Sequence, residues 1–402
     1  MKWLHLSDLH FDPENAGLGT TMLRKELPAY LKDSGIKADH LFFTGDFRNA
    51  ARQEDSDEVA KEAAEFLLRI AESVGITDSS RIHIVPGNHD LTRVGYEKAN
   101  PDETDEEKQK REKAKEEGKK QVEAIRQTYE SADGLFDKDS LDHLLGRFGF
   151  FRRMVKALSP EADVWKNSLL PLHPYRCLDD FSLVYMNTAV TCQKGDEDRG
   201  NLVMGTTDLY NSLKTITEKN SGKPVIILAH HSPHYFSNNE LQKIETIFQK
   251  FPDVALYLCG DAHKPWSRAV NTLPQFTAGC LNQSKETEVV FYTGELCNGK
   301  FLPPKAHSWD QTHSRWGVYS HADAHILEMI SGANNPFFSL PQINIVSNLD
   351  TLGIRLAQPF IGREKELESI RTTFQSGDTV FLTQSIKGLG GVGKTQIALK
   401  YA

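Results

Sequence analysis

The chain has 402 residues, 39% hydrophobic and 25% charged, which is sequence enough for two or three domains and a sizeable buried core. A net charge of −8 and a pI near 6.0 exclude a globally basic nucleic-acid binder, although a local basic groove would not register in that sum. The five cysteines, Cys177, Cys192, Cys259, Cys280 and Cys297, are odd in number and hold no Cys-x-x-Cys spacing, so neither a disulfide framework nor a structural zinc site is suggested and reduced thiols are expected.

The strand-like run Trp3-Leu4-His5-Leu6 leads directly into Asp8-Leu9-His10. Because it begins at Lys2 or Trp3, no room is left for a signal peptide, and no apolar run approaches the roughly 18 residues of a membrane span. A cytoplasmic location without membrane contact is the expectation. Residues 20–34 read as a helix and 39–44 as a second strand, ending in Gly45-Asp46. Residues 55–74 place Val59, Ala63, Phe66, Leu67 and Ile70 at helical spacing, before the strand Ile82-His83-Ile84-Val85 and the loop Gly87-Asn88-His89-Asp90. This β-α-β-α-β order predicts an α/β fold with a mainly parallel sheet covered by helices.

From residue 97 to 130 the chain is almost entirely charged, with both signs at helical spacing, inside a helical insertion spanning 97–145. It reads as a solvated helix that frays at Gly118. Two roles fit: a surface helix with ion pairs worth about 0.2–0.5 kcal/mol each, or a lid or partner-binding arm, since it follows the Gly-Asn-His-Asp loop. Leu144, Leu145, Phe148, Phe151, Met154 and Val155 let residues 141–158 pack back onto the domain. Residues 181–186 form the next strand, with Asn187-Thr188 near the site but not ligating. Helices at 209–216 and 240–251 flank the strand Val225-Ile226-Ile227-Leu228, which runs into His230-His231, and 254–258 is a strand before Gly260-Asp261-Ala262-His263. Short strands at 275–278 and 288–292 are expected to close a second sheet. His307, Trp309, His313, Trp316, His321 and His325 match no metal spacing and read as packing and surface residues. Residues 331–358 look like a linker that ends a domain spanning 1–330.

Five clusters of metal-binding side chains thus follow five strands, so one sheet rim can collect them all, as open α/β sheets collect their sites. Two cations a few Å apart need a bridging carboxylate, neutral imidazoles or amides to complete coordination, and an open position for water. Every type is present. The order Asp-x-His, Gly-Asp, Gly-Asn-His-Asp, His and Gly-x-x-His resembles the calcineurin-like metallophosphoesterase family over about residues 1–290, with Leu6-Ser7-Asp8-Leu9-His10-Phe11 similar to its cyclic-nucleotide phosphodiesterase and related branches. The resemblance implies a sandwich of two mixed sheets flanked by helices in the order α-β-β-α. It makes Asp8, His10 and His263 ligands of one metal, Asp46 the bridge, and Asn88 and His230 ligands of the second, with His89 protonating the leaving oxygen, oriented by Asp90. Of the adjacent pair, His230 is read as the ligand and His231 as a neighbour of the substrate. The family's last motif usually reads Gly-His-x-His; here Asp261 replaces its first histidine as the expected ligand, which favours Mn²⁺ or Mg²⁺ over Zn²⁺ or iron.

Gly388-Leu389-Gly390-Gly391-Val392-Gly393-Lys394-Thr395 fits G-x-x-x-x-G-K-[ST], after the strand-like run Thr379-Val380-Phe381-Leu382-Thr383 and before a helical run. In such a loop backbone N–H groups turn toward phosphate, Lys394 reaches the terminal phosphates and Thr395 faces Mg²⁺, so Gly388, Gly393, Lys394 and Thr395 are candidate ATP or ADP contacts. With Phe360-Ile361-Gly362-Arg363 upstream, residues 359–402 resemble the start of an NB-ARC module of the STAND signalling ATPases. That resemblance implies a longer protein in which the phosphoesterase, a phosphodiesterase or nuclease, is the effector and the ATPase an oligomerisation switch. The alternative is a catalytically weakened phosphoesterase fold serving as a signalling or assembly module.

Overall fold

A computed structural model of the chain describes residues 1–12, 17–49, 57–93, 103–132, 134–158, 164–165, 168–193, 195–270, 272–284, 287–319 and 323–340. Two six-stranded mixed sheets form the body. The first has the order β12-β11-β10-β1-β2-β3, with β1 (Lys2–Leu6), β2 (His40–Phe43) and β3 (Ile82–Ile84) parallel, and β10 (Val290–Cys297), β11 (Lys300–Asp310) and β12 (Arg315–Val318) joined antiparallel onto β1. The second has the order β4-β5-β6-β7-β9-β8. There β5 (Ser182–Met186), β6 (Val225–Ala229), β7 (Val254–Cys259) and β9 (Leu273–Thr277) are parallel, flanked by antiparallel β4 (Tyr175–Cys177) and β8 (Trp266–Val270).

The central parallel strands β6 and β7 are unbroken apolar runs because both of their faces are covered. Every residue of β5, β6 and β7 is buried. The two sheets meet through side chains: His83 of β3 bonds the Tyr185 hydroxyl of β5 at 2.7 Å, and Phe276 of β9 lies 5.6 Å from Tyr292 of β10, ring centre to ring centre. Helix α1 (Leu18–Asp33) packs on α2 (Asp57–Ser73) and β12, while α6 (Thr206–Asn220) and α7 (Asn238–Lys250) cover the second sheet. Cys192, Cys259 and Cys280 are buried, and none of the five thiols is in a disulfide. No helix among the described residues is long and apolar enough to cross a membrane.

Three expectations change. Only β8 and β9 close the second sheet; the expected strand at 288–292 becomes β10 and extends the first, because its register pairs Trp3 with Gly294 across nearly the whole chain. The charged helix α3 (Asp105–Ser131) does not fray at Gly118, which is buried, and its C-terminal half is fastened to the body. There the Tyr129 hydroxyl bonds Glu240 at 2.9 Å and accepts the Gly205 and Thr206 N–H groups, while Arg126 pairs with Asp198. Finally, α8 (Asp323–Ala333) and a bridge between Phe301 and Phe338 extend the first compact unit to Ser339, so residues 331–339, read as linker, pack on it. Residues 341–402, with the phosphate-loop sequence at Gly388, Gly393, Lys394 and Thr395, and His321 lie outside the described residues.

Helices α4 (Lys138–Gly146) and α5 (Gly149–Leu158) return to the body as their apolar spacing predicts, α5 packing on α2. His307 is buried in a stack against Phe291, with ring centres 4.7 Å apart, and bonds Tyr30 at 2.9 Å; it is a packing residue, as its spacing suggests. A methyl group added at Gly294 would collide with the Trp3 indole. Gly294→Ala should therefore force one of the central strand pairs apart and lower unfolding stability by about 1–3 kcal/mol. Urea denaturation checks this, and an unchanged midpoint would contradict the packing.

Candidate metal centre

Each donor stands where a parallel strand ends and the chain turns away. Asp8 and His10 follow β1, Asp46 follows β2, Asn88, His89 and Asp90 follow β3, His230 and His231 follow β6, and Asp261 and His263 follow β7. Parallel strands align these ends at one rim of each sheet, and the packed sheets bring the two rims together.

The turns are sharp. Asp8, His10, Asp46, Asp261 and His263 have φ of 55°, 43°, 59°, 65° and 52°. Left-handed backbone costs a side-chain-bearing residue about 1–2 kcal/mol, and such strain persists only where the surroundings enforce it. Five of the nine described non-glycine residues with positive φ stand at this rim, so the strain is concentrated at the donors. Gly45, at φ 97°, makes the convergence possible: a Cβ there would lie 2.7 Å from both the Gly87 nitrogen and His230 Nδ1.

Hydrogen bonds fix the loops. Asp90 is buried, and its carboxylate accepts the N–H groups of Asp46, Phe47 and Gly87, each at 2.8 Å. Burial, reinforced by the charge of Asp46, pushes Asp90 up to about 7 against the pull of the Gly87 and Phe47 N–H groups. This corrects the expectation that Asp90 orients the His89 ring: its oxygens are spent on backbone. His89 is instead held by its main chain, with its N–H donating to Asp46 Oδ1 at 2.8 Å and its carbonyl accepting from Arg48 Nε at 3.0 Å. Burial lowers the His89 imidazole to about 3.

The donors form two groups. Asp8, His10, Asp46 and His263 make one and His230, His231 and Asp261 the other, with the ligand atoms of each group within 4.8 Å of one another. Asp46 Oδ2 lies between them, 3.7 Å from His10 Nε2 and 3.4 Å from His230 Nε2. Asp261 Oδ1 is 3.6 Å from His230 Nε2, so the carboxylate that replaces the motif's histidine still faces the group. His231 bonds Thr188 at 2.9 Å through Nδ1, which gives Thr188 the role of a positioning neighbour, and burial lowers its imidazole to about 4.

A cation fits this set. Buried polar atoms are normally hydrogen-bonded, yet Asp8 Oδ1, Asn88 Oδ1 and His230 Nε2 are buried without a hydrogen bond, although charged groups lie close to two of them. The Thr44 carbonyl can only accept, so His230 Nδ1 donates to it at 2.6 Å and Nε2 is turned toward the carboxylates. Burial opposes protonation of His230 and His263, but Asp46, Asp261 and Asp8 together outweigh it for the first and raise it well above its usual value, and Asp8, with Asp46 and Asp261, raises the second to about 9. Both positions call for positive charge, which a proton or a metal ion supplies.

The profile of the calcineurin-like phosphoesterases matches residues 1–265. The chain belongs to this family. The family is one of phosphoesterases, and it points to divalent metal ions as cofactors of residues 1–265. A metallophosphoesterase-like protein of Bacillus subtilis, YydB, is 24% identical over 270 residues, 65% of this chain and 49% of that one; the chain thus spans about half the length of this relative. Among solved structures, a dimetal phosphatase from Danio rerio shares 10% identity over 79% of this chain and 99% of its own, with a TM-score of 0.41. The phosphoesterase YfcE from E. coli shares 11% over 79% and 97%, with a TM-score of 0.29.

Sequence reading missed the Thr44 carbonyl, the tether between Asp90 and the backbone, and Tyr235, whose hydroxyl stands beside Asp261. A backbone acceptor leaves no trace in residue type, and Tyr235 follows its strand by too many residues to be grouped with His230. Asp90→Ala would leave three buried N–H groups unpaired, each costing about 1–3 kcal/mol. The variant should lose about 3 kcal/mol or more in denaturant unfolding and bind Mn²⁺ at least tenfold more weakly by calorimetry. Stability within about 0.5 kcal/mol of wild type would contradict the tether.

Proposed function

We propose that the chain is a phosphodiesterase whose donors divide between two divalent cations. The observation that carries this is the position of Asp46 Oδ2 between two groups of converging donors, two of whose atoms, Asp8 Oδ1 and His230 Nε2, are buried without a hydrogen bond, as is Asn88 Oδ1 in the lining of the same cavity. Asp8, His10 and His263 would hold one ion, Asn88, His230 and Asp261 the other, and Asp46 would be shared. With four oxygen donors among these seven residues, Mn²⁺ or Mg²⁺ suits the set better than Zn²⁺. Such ions supply Lewis acidity toward phosphoryl oxygens and bring the pKa of water toward neutrality.

The chain's own groups do the rest. His89 lines the cavity over the donors, with its backbone tied to Asp46 and Arg48, and carries the proton for the leaving oxygen. Burial keeps the ring neutral in the absence of substrate; a phosphate anion against it favours the protonated form, so the proton is taken up as substrate binds. His231, held by Thr188, lines the same cavity and contacts the phosphate. The alternative of a catalytically weakened module rested on the replacement at residue 261, and Asp261 retains a donor atom facing His230. The sequence from Gly388 to Thr395 supports a further element of the proposal, that a STAND-type nucleotide-binding module with ATP or ADP couples self-association to this hydrolase.

Hydrolysis of bis-p-nitrophenyl phosphate that requires Mn²⁺, stops with EDTA and returns on reloading tests the reaction; turnover that persists after complete chelation would sink it. His89→Ala should retain metal and lose on the order of 10²-fold on a dinucleoside phosphate, whose leaving group needs a proton, and much less on the nitrophenyl ester. Equal losses on both would contradict the proton-donor role.

A further inference from the structure

Above the donors lies a cavity of about 620 Å³, and its far wall is basic. Arg93, Lys115, Lys119 and Arg199 line it, against the carboxylates Glu197 and Asp198 on the same side. Both carboxylates are already answered: Glu197 pairs with Lys119 at 3.2 Å, and Asp198 pairs with Arg126 behind the wall. Four cations line this side against two anions, and the partners outside the lining, Arg126 for Asp198, Glu116 for Lys119 and Glu123 for Arg126, add one cation and two anions. This is the opposite of the whole chain, whose net charge is −8.

The wall is built rather than fortuitous. Lys115 and Lys119 are four residues apart, hence on one face of α3, and α3 is fastened to the body through Arg126 and Tyr129. Arg199 stands over the Tyr235 ring, 5.6 Å from its centre, and Tyr235 in turn stands beside Asp261. A guanidinium so placed is a fork suited to phosphate oxygens. The composition of the lining is equally informative. Pockets for drug-sized ligands are predominantly apolar, whereas among the described residues no aliphatic side chain lines this one, and the phenol of Tyr235 already carries Arg199. Among the described residues the lining offers a purine no aliphatic walls. A cyclic nucleotide, with one phosphate and one base, would use neither the wall nor the cavity's volume.

We propose that the substrate is a nucleic-acid strand, gripped through the phosphates that flank the one being cleaved and therefore cut with little regard to sequence. This rests on the reading of the cavity floor as a phosphodiesterase centre. It also gives the charged insertion a task, since α3 carries two of the four cations.

The test compares three substrates with Mn²⁺: thymidylyl-thymidine, which has a single phosphate, the octamer dT8, and 3′,5′-cyclic AMP. Wild type should favour dT8 over the dinucleotide at least tenfold in kcat/KM per bond, and its KM for dT8 should rise steeply with salt. In Lys115→Glu/Arg199→Glu that preference should collapse toward one, with the log–log salt slope smaller by about 1.4, from roughly 0.7 per lost phosphate contact. Lys115→Gln/Arg199→Gln, which removes charge without reversing it, should shift both readouts in the same direction by a smaller amount. Equal activity of wild type on dT8 and the dinucleotide, an unaltered preference in both double variants, or a tenfold preference for cyclic AMP would overturn the proposal and leave the phosphodiesterase reading standing. Failure of wild type to cleave the dinucleotide, dT8 or bis-p-nitrophenyl phosphate would bring down both.

Discussion

One buried carboxylate organises the centre without belonging to it. Asp90 accepts backbone N–H groups from two loops, those that follow β2 and β3, and so fixes Asp46 against Gly87. Asp46 then passes the constraint on, because its Oδ1 accepts the His89 N–H while its Oδ2 faces His10 and His230. The second sheet is tied to the same point through the bond from His230 to the Thr44 carbonyl and through the Asp261 N–H, which donates to Asp8 Oδ2 at 3.0 Å. A donor set assembled from two sheets thus hangs on a short chain of buried hydrogen bonds, each worth more for being out of water and each costly to leave unmade.

That chain has to hold strained backbone. Five donors sit in left-handed conformations, and the stability that offsets them comes from the sheets below, where whole strands are buried on both faces. The division of labour is physical: the strands supply cohesion and the loops at their carboxyl ends spend part of it on aiming side chains inward. The same logic extends to the insertion. Its helix is largely polar, so it is docked at its C-terminal half by buried Val122 and Ile125 together with the polar contacts of Arg126 and Tyr129, and it presents Lys115 and Lys119 to the cavity from its middle.

Much of this was written locally. Donor pairs directly after apolar runs located the rim, and the spacing of Val59, Ala63, Phe66, Leu67 and Ile70 found α2 to within about two residues, a distance ordinary fraying accounts for. What stayed hidden depends on contacts distant in sequence. The placement of β10 beside β1 rests on Trp3 meeting Gly294, which no window of sequence contains. Gly118 looked like a break because glycine weakens a solvated helix, but here it is buried, and packing overrides propensity. Asp90 next to His89 suggested a pair; the turn instead directs the carboxylate into the backbone of its own and the neighbouring loop. A cationic wall inside an acidic chain is invisible to any sum of charges.

The central claim is that donors from five loops converge on two cations that share Asp46. Anomalous diffraction at the manganese edge, from crystals of the chain soaked in Mn²⁺, tests it most directly. Two peaks a few Å apart, one within bonding distance of Asp8, His10 and His263, the other of Asn88, His230 and Asp261, with Asp46 touching both, is the result this account predicts. A single peak, or two peaks with Asp46 bound to neither or to only one, would contradict it.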